Sequence, residues 1–497
     1  MTCSSYYRCL QWGMFLSMFA VGMYGCTSKP MHMPEVAALP GEWTQGAPER
    51  AVYLQGMLAP LLEDQRLCAL LAAVGQDNFK FATALNRLRR ARLETALAEN
   101  ARWPQPASKF EVTRQRPFGG TLAEGARGGT DGSGGAGDTT DKASTSLMLN
   151  GSLTYEVDLW NRLGAERDAA RWEQSATGED LRNVRISLLA NAVARYYQLA
   201  QFNEQVMLTA SSLRNSQRTL ALVEAQYRVG AAAALELAEA RQTVENREAT
   251  QARLSQQRTE ARNAIAELLD GRDVAAFERQ TLPAAELQPL PAGLPVALLG
   301  QRPDLQAAEF RLRRLDATVT ATRASFYPTF TLTATGGGSS AQLKDLLSNP
   351  VATLAGAVTL PFLNISKARL ATAAARADFD IAAASFQQSL LDAFLEVDNA
   401  LAAGVNLTRE QGHLIRIRNN ARVAEHLYEV RYRAGGAPLK EWLDAQDKRL
   451  DAQLALNTNR YAQLANRVTA LKALGFAVEV PGYPVAGAAA TGPVNGH

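Results

Sequence analysis

The sequence predicts a mainly α-helical protein with a membrane β-barrel portion, built from a duplicated unit of two strands and a long helical hairpin. Three observations carry this. The first is a repeat. Tyr227-Arg228-x-Gly230 returns as Tyr432-Arg433-x-Gly435, and at the same offset Glu224 matches Glu429, Glu236 matches Glu441, Glu239 matches Asp444 and Ala240 matches Ala445. The second is helix length. Gly164 to Val229 and Lys367 to Ala434 run without a proline and are rich in Ala, Leu, Gln, Arg and Glu, a bias that indicates long helices or coiled coils. The third is a set of four short segments, two per copy, in which apolar and polar residues alternate.

The chain opens differently. Arg8 precedes an apolar run from Met14 to Val21 that ends at Gly22-Met23-Tyr24-Gly25-Cys26. A cationic start, a short apolar core and small residues before a cut describe an export signal over 1–25. Gly25-Cys26 resembles a bacterial lipobox, which implies acylation of Cys26 and a lipid-anchored tether over 26–60. The cysteines show no disulfide framework and no metal-binding spacing.

The first repeat is expected over 61–275. Apolar positions Leu67, Leu70, Leu71, Val74, Phe81, Leu85 and Leu88 predict one helix from Leu61 to Leu97. Trp103-Pro104-Gln105-Pro106 ends it, because proline breaks a helix and restricts the residue before it. Strands follow at 108–118 and 146–157, around a Gly-, Thr- and Asp-rich surface loop from Gly119 to Ala143. In the second strand Leu147, Leu149, Leu153, Tyr155 and Val157 share one face; Met148, Asn150, Ser152, Thr154 and Glu156 share the other. Two helices then meet at Gly230.

A Pro-rich linker over 276–300 leads to the second repeat, 301–475. Its strands are expected at 328–336 and 352–363, with a loop from Gly336 to Pro350. Phe330, Leu332 and Ala334 alternate with Thr329, Thr331 and Thr333; Leu354, Val358, Leu360 and Phe362 share a face. Its two helices turn at Gly435-Gly436, and 476–497 reads as a disordered tail. Alternation over about 9–11 residues is what a membrane-spanning barrel strand requires, and a half-buried strand of a soluble sandwich shows it too. At about 1.5 Å per residue the longest helices reach about 100 Å. No single globular core covers that length, so they must pair laterally.

Composition excludes several functions. The balance of 52 basic against 49 acidic residues, net +3, gives no nucleic-acid footprint. No window reaches the apolar length of a transmembrane helix. His32 and His497 lie near the ends, and His413 and His426 are 13 apart on one polar helix. With no nucleophile elbow, P-loop or zinc pattern, neither an enzyme nor a cofactor nor a metal is expected.

Four segments now point one way. Glu156-Val157-Asp158-Leu159-Trp160-Asn161-Arg162-Leu163 joins a strand to a helix. Gln301-Arg302-Pro303-Asp304-Leu305-Gln306-Ala307-Ala308-Glu309 opens the second repeat. Ser325-Phe326-Tyr327-Pro328-Thr329-Phe330-Thr331-Leu332-Thr333-Ala334 contains the third strand. Tyr432-Arg433-Ala434-Gly435 with Leu443-Asp444-Ala445-Gln446 forms the last turn. Together they resemble TolC-like outer-membrane efflux proteins, in particular the NodT-type lipoproteins of RND-type systems, over about 55–475.

The resemblance implies a homotrimer in the outer membrane of a Gram-negative bacterium. Four strands from each chain would form a 12-stranded barrel, continued by a periplasmic α-helical barrel. Its partners would be membrane lipid, a periplasmic adaptor and an inner-membrane pump, with no nucleic acid. The implied function is the channel of a tripartite efflux pump, a passive conduit for small molecules. The same fold also serves type I protein secretion, and a pore-less periplasmic coiled-coil scaffold is a third reading that the four strands oppose. The implied gate is Glu429 with its counterpart Glu224, since carboxylates ringed in a narrow tube favour cations. The implied adaptor-docking tips are Tyr227, Arg228, Gly230, Tyr432, Arg433 and Gly435.

Overall fold

A computed structural model describes residues 64–115, 144–283 and 300–475. The expected signal, Cys26, the tether, the Gly-rich loop, most of the linker and the C-terminal tail lie outside the described residues. The elements run α1 (Gln65–Asp77), α2 (Phe79–Asn100), β1 (Gln105–Gln115), β2 (Ser144–Val157), α3 (Arg162–Arg228), α4 (Ala234–Leu268), α5 (Pro303–Ala324), β3 (Thr329–Ser340), β4 (Val351–Thr359), α6 (Ile365–Arg433) and α7 (Leu439–Ala473). Among the described residues they divide into two compact units. One takes Arg92–Trp172 and Arg313–Ile381; the other takes the residues up to Ala91, Glu173–Leu312 and those from Ala382 onward. No described helix is long and apolar enough to cross a membrane.

The first unit holds one antiparallel sheet of order β1-β2-β3-β4. Its register joins the separate alternations into one surface. Phe110 faces Leu149 and Val112 faces Leu147. Tyr155 faces Leu332, Val157 faces Phe330 and Leu153 faces Ala334. Phe330 then faces Val358, and Ala334 faces Leu354. Directly paired residues share a face, so one side of the sheet is apolar across all four strands. The other side carries Ser152, Thr154, Thr333, Thr335 and Thr353. The outer strands β1 and β4 each keep an open edge.

The strand limits differ from those expected, for local reasons. The first strand starts at Gln105 rather than 108 and includes Pro106. Pro106 stands at the start of the strand, where proline is tolerated. The second begins at Ser144. The third continues to Ser340, so Gly336 to Ser340 are strand and not loop. The fourth stops at Thr359, and Pro361 begins a short 3₁₀ turn.

The strand-to-helix junction of this unit explains its motif. Asp158 accepts from the Arg162 amide at 2.6 Å and from the Gly164 amide at 2.8 Å, capping α3. Arg162 grips both carboxylate oxygens of Glu156. Trp160 donates to the Pro328 carbonyl at 2.8 Å and lies against Tyr327. A Cβ on Gly164 would come within 1.9 Å of Asn161 Oδ1, so a larger residue there displaces the Asn161 side chain. In the second copy Asn364 takes the cap, accepting from Lys367.

The second unit is helical. Leu67, Leu70, Leu71 and Val74 form one buried face of α1. They pack with Leu189, Val193, Tyr196 and Tyr197 of α3, Ile265 of α4 and Leu471 of α7. Each such side chain contributes about 2 kcal/mol on burial. The single helix expected from Leu61 to Leu97 is two helices broken at Asn78. That side chain accepts from the Lys80 amide and donates to the Leu268 carbonyl, 190 positions away.

Arg302 anchors a second core. It is 8% exposed, binds both oxygens of Asp304 at 3.1 and 2.8 Å, and reaches Glu396 and the Ala473 carbonyl, each at 2.9 Å. Pro303 starts α5 where no helix N–H is needed. Arg302-Pro303-Asp304 therefore closes the end of α7 while starting α5.

Candidate functional site

The two hairpin tips lie in the second unit, and both turns are built alike. Gly230 N–H donates to Tyr227 O at 3.0 Å, and Ala231 N–H to Gln226 O at 2.8 Å. Gly435 N–H donates to Tyr432 O at 2.9 Å, and Gly436 N–H to Arg431 O at 2.8 Å. Each is a Schellman closure, which satisfies the last helix carbonyls with a left-handed residue. Gly230 has φ +77° and Gly435 φ +71°. Nothing lies near a Cβ at either position, so backbone conformation, not space, favours glycine, by about 1–2 kcal/mol over a residue with a Cβ. The repeated Tyr-Arg-x-Gly is thus the sequence of this closure.

The turns are joined by a small core. Val223, Ala240, Leu439, Trp442 and Leu443 are buried, with Leu237, Tyr428 and Tyr432 against them. Tyr432 stacks on Trp442 at 5.3 Å and donates to Gln226 Oε1 at 2.8 Å. Burial, then the nearby Glu236 charge, pushes the Tyr432 phenol up. Tyr227, its counterpart, is 45% exposed. The copies match in backbone and differ in side-chain engagement.

The acidic pair diverges in the same way. Glu224 meets Arg241 at 3.3 Å. Glu429 meets Arg433 at 2.7 Å, one helical turn on. At the repeat offset Arg241 corresponds to Gln446, so Glu429 lacks that partner and takes Arg433 instead. Arg228, the counterpart of Arg433, donates to the Glu224 carbonyl. An expected gate residue and an expected docking residue therefore share one ion pair. His413 and His426 are exposed on α6.

Sequence reasoning missed Gln226 and Trp442. The repeat offset could have found Trp442, which corresponds to Leu237, just as Tyr428 corresponds to Val223; all four residues join the tip core. Gln226 carried no signal, because its role depends on a tyrosine from the other copy.

A four-stranded sheet with one apolar and one polar face, carried on a chain with two helices of 67 and 69 residues, has the fold of TolC-like channels. Comparison gives the family. The model described as outer membrane efflux protein matches residues 70–271 and 294–475. The chain is 30% identical over 428 residues to the pyoverdine export outer membrane protein OpmQ of Pseudomonas putida, covering 84% of this chain and 89% of that one. It is 29% identical over 471 residues to the toluene efflux pump outer membrane protein TtgI of Pseudomonas putida, covering 93% and 97%. The crystal structure of a membrane protein from Pseudomonas aeruginosa is similar at 28% identity and TM-score 0.77, over 90% of this chain and 97% of that one. The chain belongs to the outer membrane efflux protein family. It is the outer-membrane channel of an efflux pump.

Proposed function

We propose that three copies of the chain close a 12-stranded barrel, and that the trimer passively exports small, toxic or drug-like molecules delivered by a periplasmic adaptor and an inner-membrane pump. The observation that carries this reading is the continuous apolar face bounded by two open edges. Unpaired strand edges are not tolerated in hydrocarbon, and closure with further chains removes them. In this reading 1–25 is the export signal, Cys26 the lipid anchor and 26–60 a tether, while 61–275 and 301–475 are the repeats. Detergent-extracted protein is expected to run as a heat-modifiable trimer from the outer-membrane fraction. A monomer under the same extraction overturns the reading.

The tips supply the gate and the adaptor contact. Glu429 and Glu224 form the constriction; Tyr227, Arg228, Gly230, Tyr432, Arg433 and Gly435 form the docking ring. Both carboxylates are held by arginines, which supports a closed tip that loosens when those pairs are broken. Glu429→Ala is expected to raise conductance in planar bilayers and to shift the reversal potential toward anions. Unchanged conductance and selectivity remove the gate assignment.

A further inference from the structure

A groove between α3, α6 and α7 is lined by Arg218, Arg422, Arg433 and Arg449, with Glu425 and Glu429 as its acids and Trp442 in its wall. Four guanidiniums face two carboxylates, an excess of two positive charges. Arg433 pairs with Glu429, and Arg449 with Glu425. Among the described residues Arg218 and Arg422 meet no carboxylate. Each guanidinium presents five N–H donors in a planar fork, so even the paired arginines keep donors to spare.

We infer that this groove is a binding site for a small multivalent oxyanion, a solute carrying phosphate or several carboxylates. Guanidinium forks match such oxygens two at a time. Arg218 and Arg422 come from different helices and supply charge that, among the described residues, no acid neutralises. Trp442 is buried and held by its stack on Tyr432, which gives the groove a fixed wall. A metal cation fits poorly, because both acids are already engaged by arginines. An anion fits well, and it competes with Glu429 for Arg433. The inference does not rest on the trimer or the gate, since every residue belongs to one unit of one chain.

The test is calorimetric titration of the detergent-solubilised full chain, at fixed ionic strength, with pyrophosphate and with citrate separately. Saturable binding of either supports the site, and the tighter one names the headgroup chemistry. Replacing both Arg218→Gln and Arg422→Gln is expected to weaken binding at least about tenfold. The control pair Arg87→Gln and Arg89→Gln, exposed on α2, is expected to leave it within about twofold. Glu429→Gln is expected to tighten binding about threefold, a direction that misfolding cannot imitate. These magnitudes follow from one or two charge-assisted contacts. Absence of saturable binding overturns the proposal, and so does an equal loss in the control pair.

Discussion

Leu354→Arg is expected to abolish recovery of assembled protein from the outer membrane, while Thr353→Arg, one residue away, leaves it intact. Leu354 lies near the middle of β4, directly opposite Ala334 on the apolar face, and is 80% exposed. A guanidinium at the bilayer midplane of a barrel costs about 2–4 kcal/mol. Three copies per assembly would triple that penalty, comparable with the whole stability of many proteins. Thr353 pairs with Thr335 on the polar face, where an arginine meets water. Each variant adds one arginine, at adjacent positions on opposite faces of the sheet. Quantifying heat-modifiable trimer in the membrane fraction checks the pair. Equal recovery of both shows that the apolar face does not meet lipid.

Arg302→Met is expected to lower unfolding stability by about 3 kcal/mol, the lower end of the range for breaking a buried ion pair. The low end applies because Asp304 and Glu396 are more than a third exposed and regain some water. The substitution keeps the aliphatic stem and removes the contacts to Asp304, Glu396 and the last carbonyl of α7. A change in pH dependence separates this from general loosening. Burial pushes the Asp304 carboxyl up, but the Arg302 hydrogen bonds and charge more than offset it and hold it below its ordinary 3.8. The carboxylate therefore contributes stability above pH 3.8, and the contribution is lost as pH falls through the lower folded value. Without Arg302 that part of the acid loss disappears. Thermal melting of the helical signal between about pH 5 and pH 2 reads the difference. A variant whose melting temperature falls as steeply with acid as the native chain contradicts the assignment.

Legibility followed the range of the interaction. Strand faces are a period-two property of neighbours, so Leu147 to Val157 and Phe330 to Ala334 declared their faces directly. Their ends did not. Gly336-Gly337-Gly338 carry no side chains to alternate, yet Gly337 is fixed by its partner, where a Cβ would meet Leu149 O at 2.2 Å. The break at Asn78 was invisible because it depends on the Leu268 carbonyl. At the tips the repeat showed which glycines turn the chain. The exchange of Arg241 for Gln446 is visible at the repeat offset, but not that Glu429 then pairs with Arg433 while Arg228 turns to a carbonyl, because those contacts depend on side-chain conformation. Similarity between copies marks the backbone they share; function at the tip depends on the side chains that broke the symmetry.

The sheet has one further consequence. Three antiparallel steps separate β1 from β4, so the two outer strands point in opposite directions. Copies set side by side in a ring therefore meet antiparallel at every seam, whatever their number. A unit of three or five strands would force a parallel pair at each seam, with a different ladder and spacing. Because the strand count is even, a seam between chains has the same bonding pattern as a hairpin within one. Gene duplication of a two-strand unit guarantees that parity from the start.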